Sequence, residues 1–113
     1  MFNIELNNNE SIIVIDYDCK ILTKNNIVDA LLVLTNMRLL IYIDVNKKMD
    51  YLTILQTARN VKMNPNWEKQ LDILISNIET IHLKDNVYTV TIDDNILKFI
   101  SPKIYENNLL SAN

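Results

Sequence analysis

The stretch Ala30-Leu-Leu-Val-Leu-Thr-Asn-Met-Arg-Leu-Leu-Ile-Tyr-Ile43 is the longest apolar run in the chain, and Thr35-Asn36 divides it into two parts. A membrane-spanning helix needs about twenty apolar residues, but Asp29, Arg38 and Asp44 lie within or beside this run. A buried helix is an alternative, since Leu, Met and Arg favour helices. Instead, two apolar segments of strand length on either side of Thr35-Asn36 predict a β-hairpin. We expect the turn asparagine to supply a positive φ.

The second half of this run alternates between two largely apolar faces. Leu39 and Ile41 share one face of the predicted strand, and Leu40 and Tyr42 share the other. A strand that is apolar on both faces is buried on both faces. We therefore expect the hairpin to lie in the interior of its sheet.

Length and composition narrow the function classes. The 113 residues are typical of one domain, 1–113. The net charge is −3 with both signs interspersed, so no basic stripe predicts a nucleic-acid partner. One cysteine excludes an internal disulfide framework. The absence of glycine excludes a glycine-rich phosphate loop, and we identify no cofactor or small-molecule substrate.

The beginning of the sequence shows no charged region followed by an apolar core, so we expect no signal peptide and a cytoplasmic location. The seventeen asparagines and the abundant Ile and Lys indicate an AT-rich genome. Without glycine, Asn and Asp must occupy every turn position that needs a positive φ.

Short alternating segments on both sides of the central run predict an antiparallel meander. The predicted strands outside it are residues 11–17, with a bend at 18–19 and either a continuation or a second short strand over 20–23, then 71–75, 78–84, 87–92 and 96–100. Asp85-Asn86 and Asp93-Asp94-Asn95 are the predicted turns between the last three strands.

Two helices complete the predicted fold. Residues 50–60 suit a short amphipathic helix with Asp50 as its N-cap, although a strand over 51–55 fits nearly as well, and 64–70 is typical of a loop or one helical turn. Ser101-Pro102 suits a helix start. We predict a mainly β barrel of about seven antiparallel strands, closed by a C-terminal α-helix, with a short helix inserted within 45–70.

Residues 32–42, Leu-Val-Leu-Thr-Asn-Met-Arg-Leu-Leu-Ile-Tyr, resemble a strand pair of GRAM and bacterial pleckstrin-homology-like (PH-like) domains. Residues 71–83 and 87–100 resemble the later strands of those domains, so the resemblance covers about residues 10–110. It implies a PH-like barrel and a binding module rather than an enzyme. The chain departs from the pattern in having Asp29-Ala30 where the family has glycine, and in its longer 45–70 segment.

Few side chains suggest chemistry. His82 is the only histidine, and alternation places it on a solvent-facing side of its strand. A metal site needs three or four ligands, so we expect no metal site at His82. Nothing in the sequence brings Cys19 and His82 together, so we expect no nucleophile–base pair between them. Arg38 is expected to pair with a carboxylate such as Asp29, the alternative being a ligand contact.

Two acidic pairs, Asp16/Asp18 and Asp93/Asp94, offer carboxylates beside strands. They lack the spaced oxygen ligands of a calcium loop. We expect solvated turns rather than cation sites.

Two surfaces are worth testing. Large apolar residues in the 45–70 segment either cover one end of the barrel or form a partner surface; they are Met49, Tyr51, Met63 and Trp67. The lysines nearest the first strands are Lys20, Lys24, Lys47 and Lys48. Each lysine contributes about 1 kcal/mol beside an anionic membrane.

The sequence therefore predicts a non-enzymatic module for protein–protein interaction or self-association, with a protein partner or a homo-oligomer. The alternative is a peripheral membrane module that binds anionic lipid head groups.

Overall fold

The computed structural model describes residues 3–44 and 66–104, and in them seven strands form one antiparallel sheet. The strands are β1 (Ile12–Leu22), β2 (Ile27–Thr35), β3 (Arg38–Asp44), β4 (Trp67–Leu74), β5 (Thr80–Lys84), β6 (Val87–Ile92) and β7 (Asn95–Ile100). Their order across the sheet is β4-β3-β2-β1-β7-β6-β5. The long strand β1 therefore joins two meanders.

The predicted central hairpin is confirmed, with β2 and β3 paired from Leu31 opposite Tyr42 to Leu34 opposite Leu39. Its turn differs from the prediction, because Asn36 does not have a positive φ. The Thr35 hydroxyl instead accepts hydrogen bonds from the backbone N–H groups of the two residues that close the turn, at 3.0 and 2.8 Å. A side-chain oxygen thus replaces a left-handed backbone in shaping this turn.

The two turns of the second meander do use left-handed backbone. Asp85 and Asn86 have φ values of 53° and 67°, and Asp93 and Asp94 have 49° and 66°. Two consecutive residues with positive φ match the right-handed twist of the flanking strands. These turns confirm the expectation that Asn and Asp replace glycine in this chain.

The bend predicted at residues 18–19 is present as a register shift between Asp16 and Cys19 in the pairing of β1 with β2. Strand β1 continues through the bend to Leu22, and its last residues pair with both β2 and β7. An irregularity of this kind increases the local twist of a sheet. It lets one strand take part in both meanders.

The sheet buries apolar side chains on both faces. We call the larger group the inner core: Cys19, Ala30, Leu32, Leu34, Leu39, Ile41, Ile75, Ile78, Tyr88, Val90, Phe99 and Ile104. The opposite face, which we call the outer cluster, holds Leu31, Val33, Leu40 and Tyr42, with Ile4, Ile15 and Trp67 packed against them. The two-faced burial predicted for β3 is confirmed.

The predicted closed barrel with a C-terminal α-helix is wrong. Strands β4 and β5 are consecutive but do not pair, because the 3₁₀ turn Ile75–Asn77 carries the chain from one edge of the sheet to the other. The Ile75 N–H donates to the Met37 carbonyl at 2.9 Å and anchors this turn beside the hairpin. The sheet therefore remains open between β4 and β5.

No α-helix occurs in residues 3–44 and 66–104. Pro102-Lys103 forms a turn where the closing helix was expected to start. The Ser101 hydroxyl donates to the Asp16 carboxylate, so it does not serve as the predicted helix cap. Residues 105–113, which carried the rest of that prediction, lie outside the described residues.

The assignment of residues 64–70 to a loop or helical turn is also wrong in part, since β4 already begins at Trp67. Seven residue pairs to β3, from Arg38–Leu74 to Asp44–Trp67, override the weak strand preference of Glu68 and Lys69. The helix predicted within 50–60 lies outside the described residues. No helix in the described part of the chain has the length and apolar character needed to cross a membrane.

Candidate functional site

Arg38 lies at the start of β3 and is the centre of a buried polar network. Its Nε and Nη2 atoms donate to the two carboxylate oxygens of Glu10 at 2.9 and 2.8 Å. Its Nη1 donates to Asp72 of β4 at 2.9 Å, and Nη2 also reaches the Glu5 carbonyl at 2.8 Å. The Glu10 side chain has no exposed surface. The guanidinium thus fastens the segment before β1 to the edge of the sheet.

Thr35 completes this network from the preceding strand. Its hydroxyl donates to Glu10 at 2.6 Å while accepting the turn amides. The hydrogen bond from Arg38, followed by that from Thr35, lowers the pKa of Glu10 to about 2 although burial opposes the change. Glu10 in turn raises the pKa of Arg38. The pair is therefore charged throughout the physiological pH range.

The expectation that Arg38 pairs with a carboxylate is confirmed, but the proposed partner was wrong. Asp29 pairs with Lys20 instead. The partner Glu10 is 28 residues away from Arg38 in the sequence, and its only local signal is a carboxylate directly before an apolar strand. A cleft of about 470 Å³ lies beside Arg38, but carboxylates already engage this guanidinium. We therefore assign the network a structural role.

Cys19 and His82, the two residues considered for nucleophilic chemistry, lie on opposite faces of the sheet. Cys19 belongs to the inner core at 1% exposure. Burial, reinforced by the charge of Asp16, raises the pKa of its thiol to about 12. His82 is exposed on β5, opposite Thr89 of β6. Because the sheet separates them, they form no nucleophile–base pair.

Asp16 is a buried structural carboxylate, so the solvated turn expected at Asp16/Asp18 is wrong for Asp16. It is fully buried and accepts hydrogen bonds from the Ser101 hydroxyl, from the Lys103 N–H at 3.1 Å and from the Asp18 N–H at 2.8 Å. These contacts fasten the segment after β7 to the bend in β1. Among the described residues, no group of three His, Cys, Asp or Glu side chains is placed to hold a metal ion.

The predicted lipid-contact lysines do not converge in the described part of the chain. Lys20 forms an ion pair with Asp29, which raises the pKa of the lysine. Lys24 is exposed in the turn between β1 and β2. Lys47 and Lys48 lie outside the described residues. Of the two predicted lipid-contact lysines that the structure describes, Lys24 is the one that forms no ion pair with another described residue.

The predicted partner surface is described only at Trp67, since Met49, Tyr51 and Met63 lie outside the described residues. Trp67 begins β4, is half-buried and packs against the outer cluster. The centroid of its ring lies 6.4 Å from that of Tyr17. Trp67 therefore covers the outer face, while the 54% exposure of Tyr17 leaves part of the aromatic surface in solvent.

An apolar cleft of about 280 Å³ lies between the edge strand β4 and the β6–β7 hairpin, and we call it the seam cleft. Its lining comes from two separate parts of the chain: Leu71, Ile73, Ile92, Asp93, Asn95, Ile96 and Leu97. Ile96, at 67% exposure, is the most exposed large apolar residue in the described part of the chain, and Leu71 is 37% exposed. Contiguous apolar surface left exposed in a concavity is a candidate interaction site.

The sequence did not indicate the seam cleft. Leu71, Ile73 and Ile92 alternate with polar residues as core-facing residues of amphipathic strands do, whereas Ile96 shares a strand face with Lys98. Leu71, Ile73 and Ile92 are partly exposed because the sheet does not close where β4 faces the β6–β7 hairpin, and Ile96 is exposed because it lies on the opposite face of β7 from Leu97.

The comparisons with known proteins identify no relative. No family model, no curated protein sequence and no solved structure matches this chain significantly.

Proposed function

We propose that the chain is a non-enzymatic binding module that mediates protein–protein interaction through the seam cleft. The observation that carries this proposal is an apolar concavity left exposed at the opening of the sheet and flanked by an edge strand. Apolar residues of this kind supply the binding energy at the centre of protein interfaces. The resemblance to GRAM and PH-like domains agrees with a binding role, and it remains a sequence-based inference.

The buried ionisable side chains of the described chain support a binding role in a second way. The Arg38–Glu10 pair, Asp16 and Cys19 are committed to holding the fold together. Their pKa displacements have structural causes, namely ion pairing for Glu10 and burial for Cys19. A catalytic group needs a pKa near the working pH and access to a substrate, and these residues lack at least one of the two.

A matched pair of substitutions tests this function. Ile96 lines the seam cleft and Ile27 does not, yet the two are 67% and 66% exposed. We expect Ile96→Asp to weaken binding by about tenfold or more, while Ile27→Asp leaves it unchanged. Similar exposure makes the effects of the two substitutions on folding comparable.

The probe is a phage-displayed library of random peptides, about twelve residues long or roughly twice a typical strand, selected on the full chain. Binding of the recovered peptides is measured by fluorescence anisotropy. An equal loss in both variants, or no loss in Ile96→Asp, would contradict a binding site at the seam cleft.

The peripheral membrane module remains the second candidate, because of one observation at the β1–β2 turn. Ile27, exposed by 66%, directly follows this turn, which carries Lys24. An exposed aliphatic side chain beside a lysine is suited to the surface of an anionic membrane.

The same two variants distinguish the candidates in a vesicle flotation assay. The vesicles contain phosphatidylcholine alone or with about one third phosphatidylserine. A membrane module should float only with phosphatidylserine and lose this binding in Ile27→Asp but not in Ile96→Asp. Failure to float with either vesicle would remove this candidate.

A further inference from the structure

We propose that the seam cleft takes up an extended segment of a partner protein, which pairs with β4 as an added strand. This segment presents two aliphatic side chains at alternate positions, followed or preceded by a Lys or Arg. The inference rests on the proposed function, because it names the ligand of the same cleft. Three features of the cleft lead to it.

The first feature is the backbone of β4. Among the described residues this strand pairs on one side only, with β3. The N–H and C=O groups on the free side of an edge strand are a template for another chain. Edge strands are commonly protected by lysine, proline or a bulge. Lys69 and a register shift lie in the first half of β4, whereas Leu71 to Leu74 contain none of these three devices, and their one charged residue, Asp72, is already paired with Arg38 and Lys69.

The second feature is the direction of the apolar side chains in that unprotected half. Leu71 and Ile73 lie opposite Ile41 and Leu39, which belong to the inner core. Directly opposed residues in antiparallel strands point to the same side of the sheet. An added strand would therefore direct every second side chain into the seam cleft, against Ile92 and Leu97, which also pack towards the inner core. This geometry selects two aliphatic residues separated by one residue.

The third feature is the charge at the end of the cleft. Asp93 lines the seam cleft and Asp94 follows it in an exposed turn. Neither carboxylate forms an ion pair with a described residue. A basic residue in the ligand would meet these two charges, which favours a cationic neighbour for the aliphatic pair.

The same charges favour a different protein over a second copy of this chain. A second copy of β4 would bring Lys69 as its only basic residue, and this lysine already donates to Asp72 of its own strand at 2.9 Å. It would also bring the carboxylates of Glu68 and Asp72. We therefore assign the cleft to a strand from another protein.

The turn carboxylates offer a matched test of the charge. Asp93→Asn and Asp94→Asn remove charge while keeping a residue that tolerates positive φ. We expect each to weaken a selected peptide that contains Lys or Arg by about two- to fivefold, and less at high salt. Asp85→Asn is the control, since Asp85 has a similar backbone in the β5–β6 turn but does not line the cleft.

Backbone methylation of the selected peptides tests strand addition itself. Only alternate N–H groups of an added strand face β4, so N-methyl groups on one set of alternate residues should abolish binding. Methylation of the other set should leave at least half of the affinity. Selected sequences should show the aliphatic alternation and a basic residue.

The outcomes separate this inference from the proposed function. If Ile96→Asp abolishes binding but both methylation sets are tolerated, the protein-binding function stands and strand addition is refuted. If no peptide is recovered, or Ile96→Asp binds normally, both proposals fail. If sedimentation shows a dimer that Ile96→Asp dissociates, the occupant is a second copy and the assignment to another protein is overturned.

Discussion

Glu10→Gln gives the sharpest prediction about stability, because this substitution preserves shape and removes one charge from the Arg38 network. Each carboxylate oxygen of Glu10 accepts two hydrogen bonds. Oε1 accepts from Arg38 Nη2 and the Asn7 N–H, and Oε2 accepts from Arg38 Nε and the Thr35 hydroxyl. A glutamine must direct its amino group at one side of this donor set. At least one donor–donor contact then replaces a charge-assisted hydrogen bond.

The expected loss of unfolding free energy is about 2–3 kcal/mol at pH 7, the range set by the pKa displacement of Glu10 and by the loss of a buried ion pair. Removal of one partner of a buried ion pair costs about 3–5 kcal/mol. The lower end applies here, since Arg38 retains Asp72 and the Glu5 carbonyl as acceptors. The displacement of the Glu10 pKa from 4.5 to about 2 corresponds to an upper limit of about 3 kcal/mol. We discount this value to about 2 kcal/mol because the neighbouring cleft admits solvent.

The pH dependence follows from the direction of that displacement. The folded protein has the lower pKa, so ionised Glu10 stabilises it fully above the unfolded-state value of 4.5. This stabilisation decreases as the pH falls and is lost at about pH 2. The stability difference between the wild type and Glu10→Gln should therefore be constant above about pH 5.5 and narrow steadily below about pH 4.

Urea unfolding followed by tryptophan fluorescence at several pH values measures this difference, since Trp67 is the only tryptophan and packs against the fold. Glu5→Gln is the matched control, because Arg38 contacts only the backbone carbonyl of Glu5. The reasoning is refuted if Glu10→Gln costs less than about 1 kcal/mol, if Glu5→Gln costs as much, or if the difference does not narrow in acid.

Three further predictions concern single residues. The Cys19 thiol, with a pKa of about 12, should react slowly with a disulfide reagent at pH 8 and rapidly in urea; fast reaction of the folded protein would contradict its burial. Asp16→Asn should cost about 2 kcal/mol in urea unfolding, whereas Asp18→Asn, at an exposed side chain, should be nearly neutral. Asn86→Gly should stabilise the protein by up to about 1 kcal/mol because φ at residue 86 is positive. Asn77→Gly should destabilise the protein by about 0.5–1 kcal/mol. Equal shifts of the melting temperature in these two variants would exclude a φ-dependent effect.

The strands could be read from the sequence where alternation and turn residues agreed. The β2–β3 hairpin and the β5–β6 and β6–β7 turns followed from local patterns, since neighbouring segments of a meander pair with each other. The prediction failed at Trp67 to Gln70, where the local composition suggested a loop. Pairing with β3 imposes the extended conformation there.

The candidate site could be anticipated only in part. Arg38 was recognised as a residue that needs a carboxylate, but Glu10 could not be distinguished from other acidic residues without the register of the sheet. Likewise, the sequence shows that Leu71 and Ile96 are apolar and does not show that they line one cleft. These features depend on contacts between distant parts of the chain.

The sequence by itself determined that this protein is mainly β, because hydrophobic period and turn chemistry act over a few residues. It also determined that Asn and Asp form the left-handed turns, since the chain contains no glycine. Only the tertiary structure decided that the sheet stays open. That outcome depends on the 3₁₀ turn at Ile75–Asn77 and its anchor at Met37, a contact across 38 positions that no local pattern encodes. The same opening leaves Leu71 partly in solvent and creates the seam cleft.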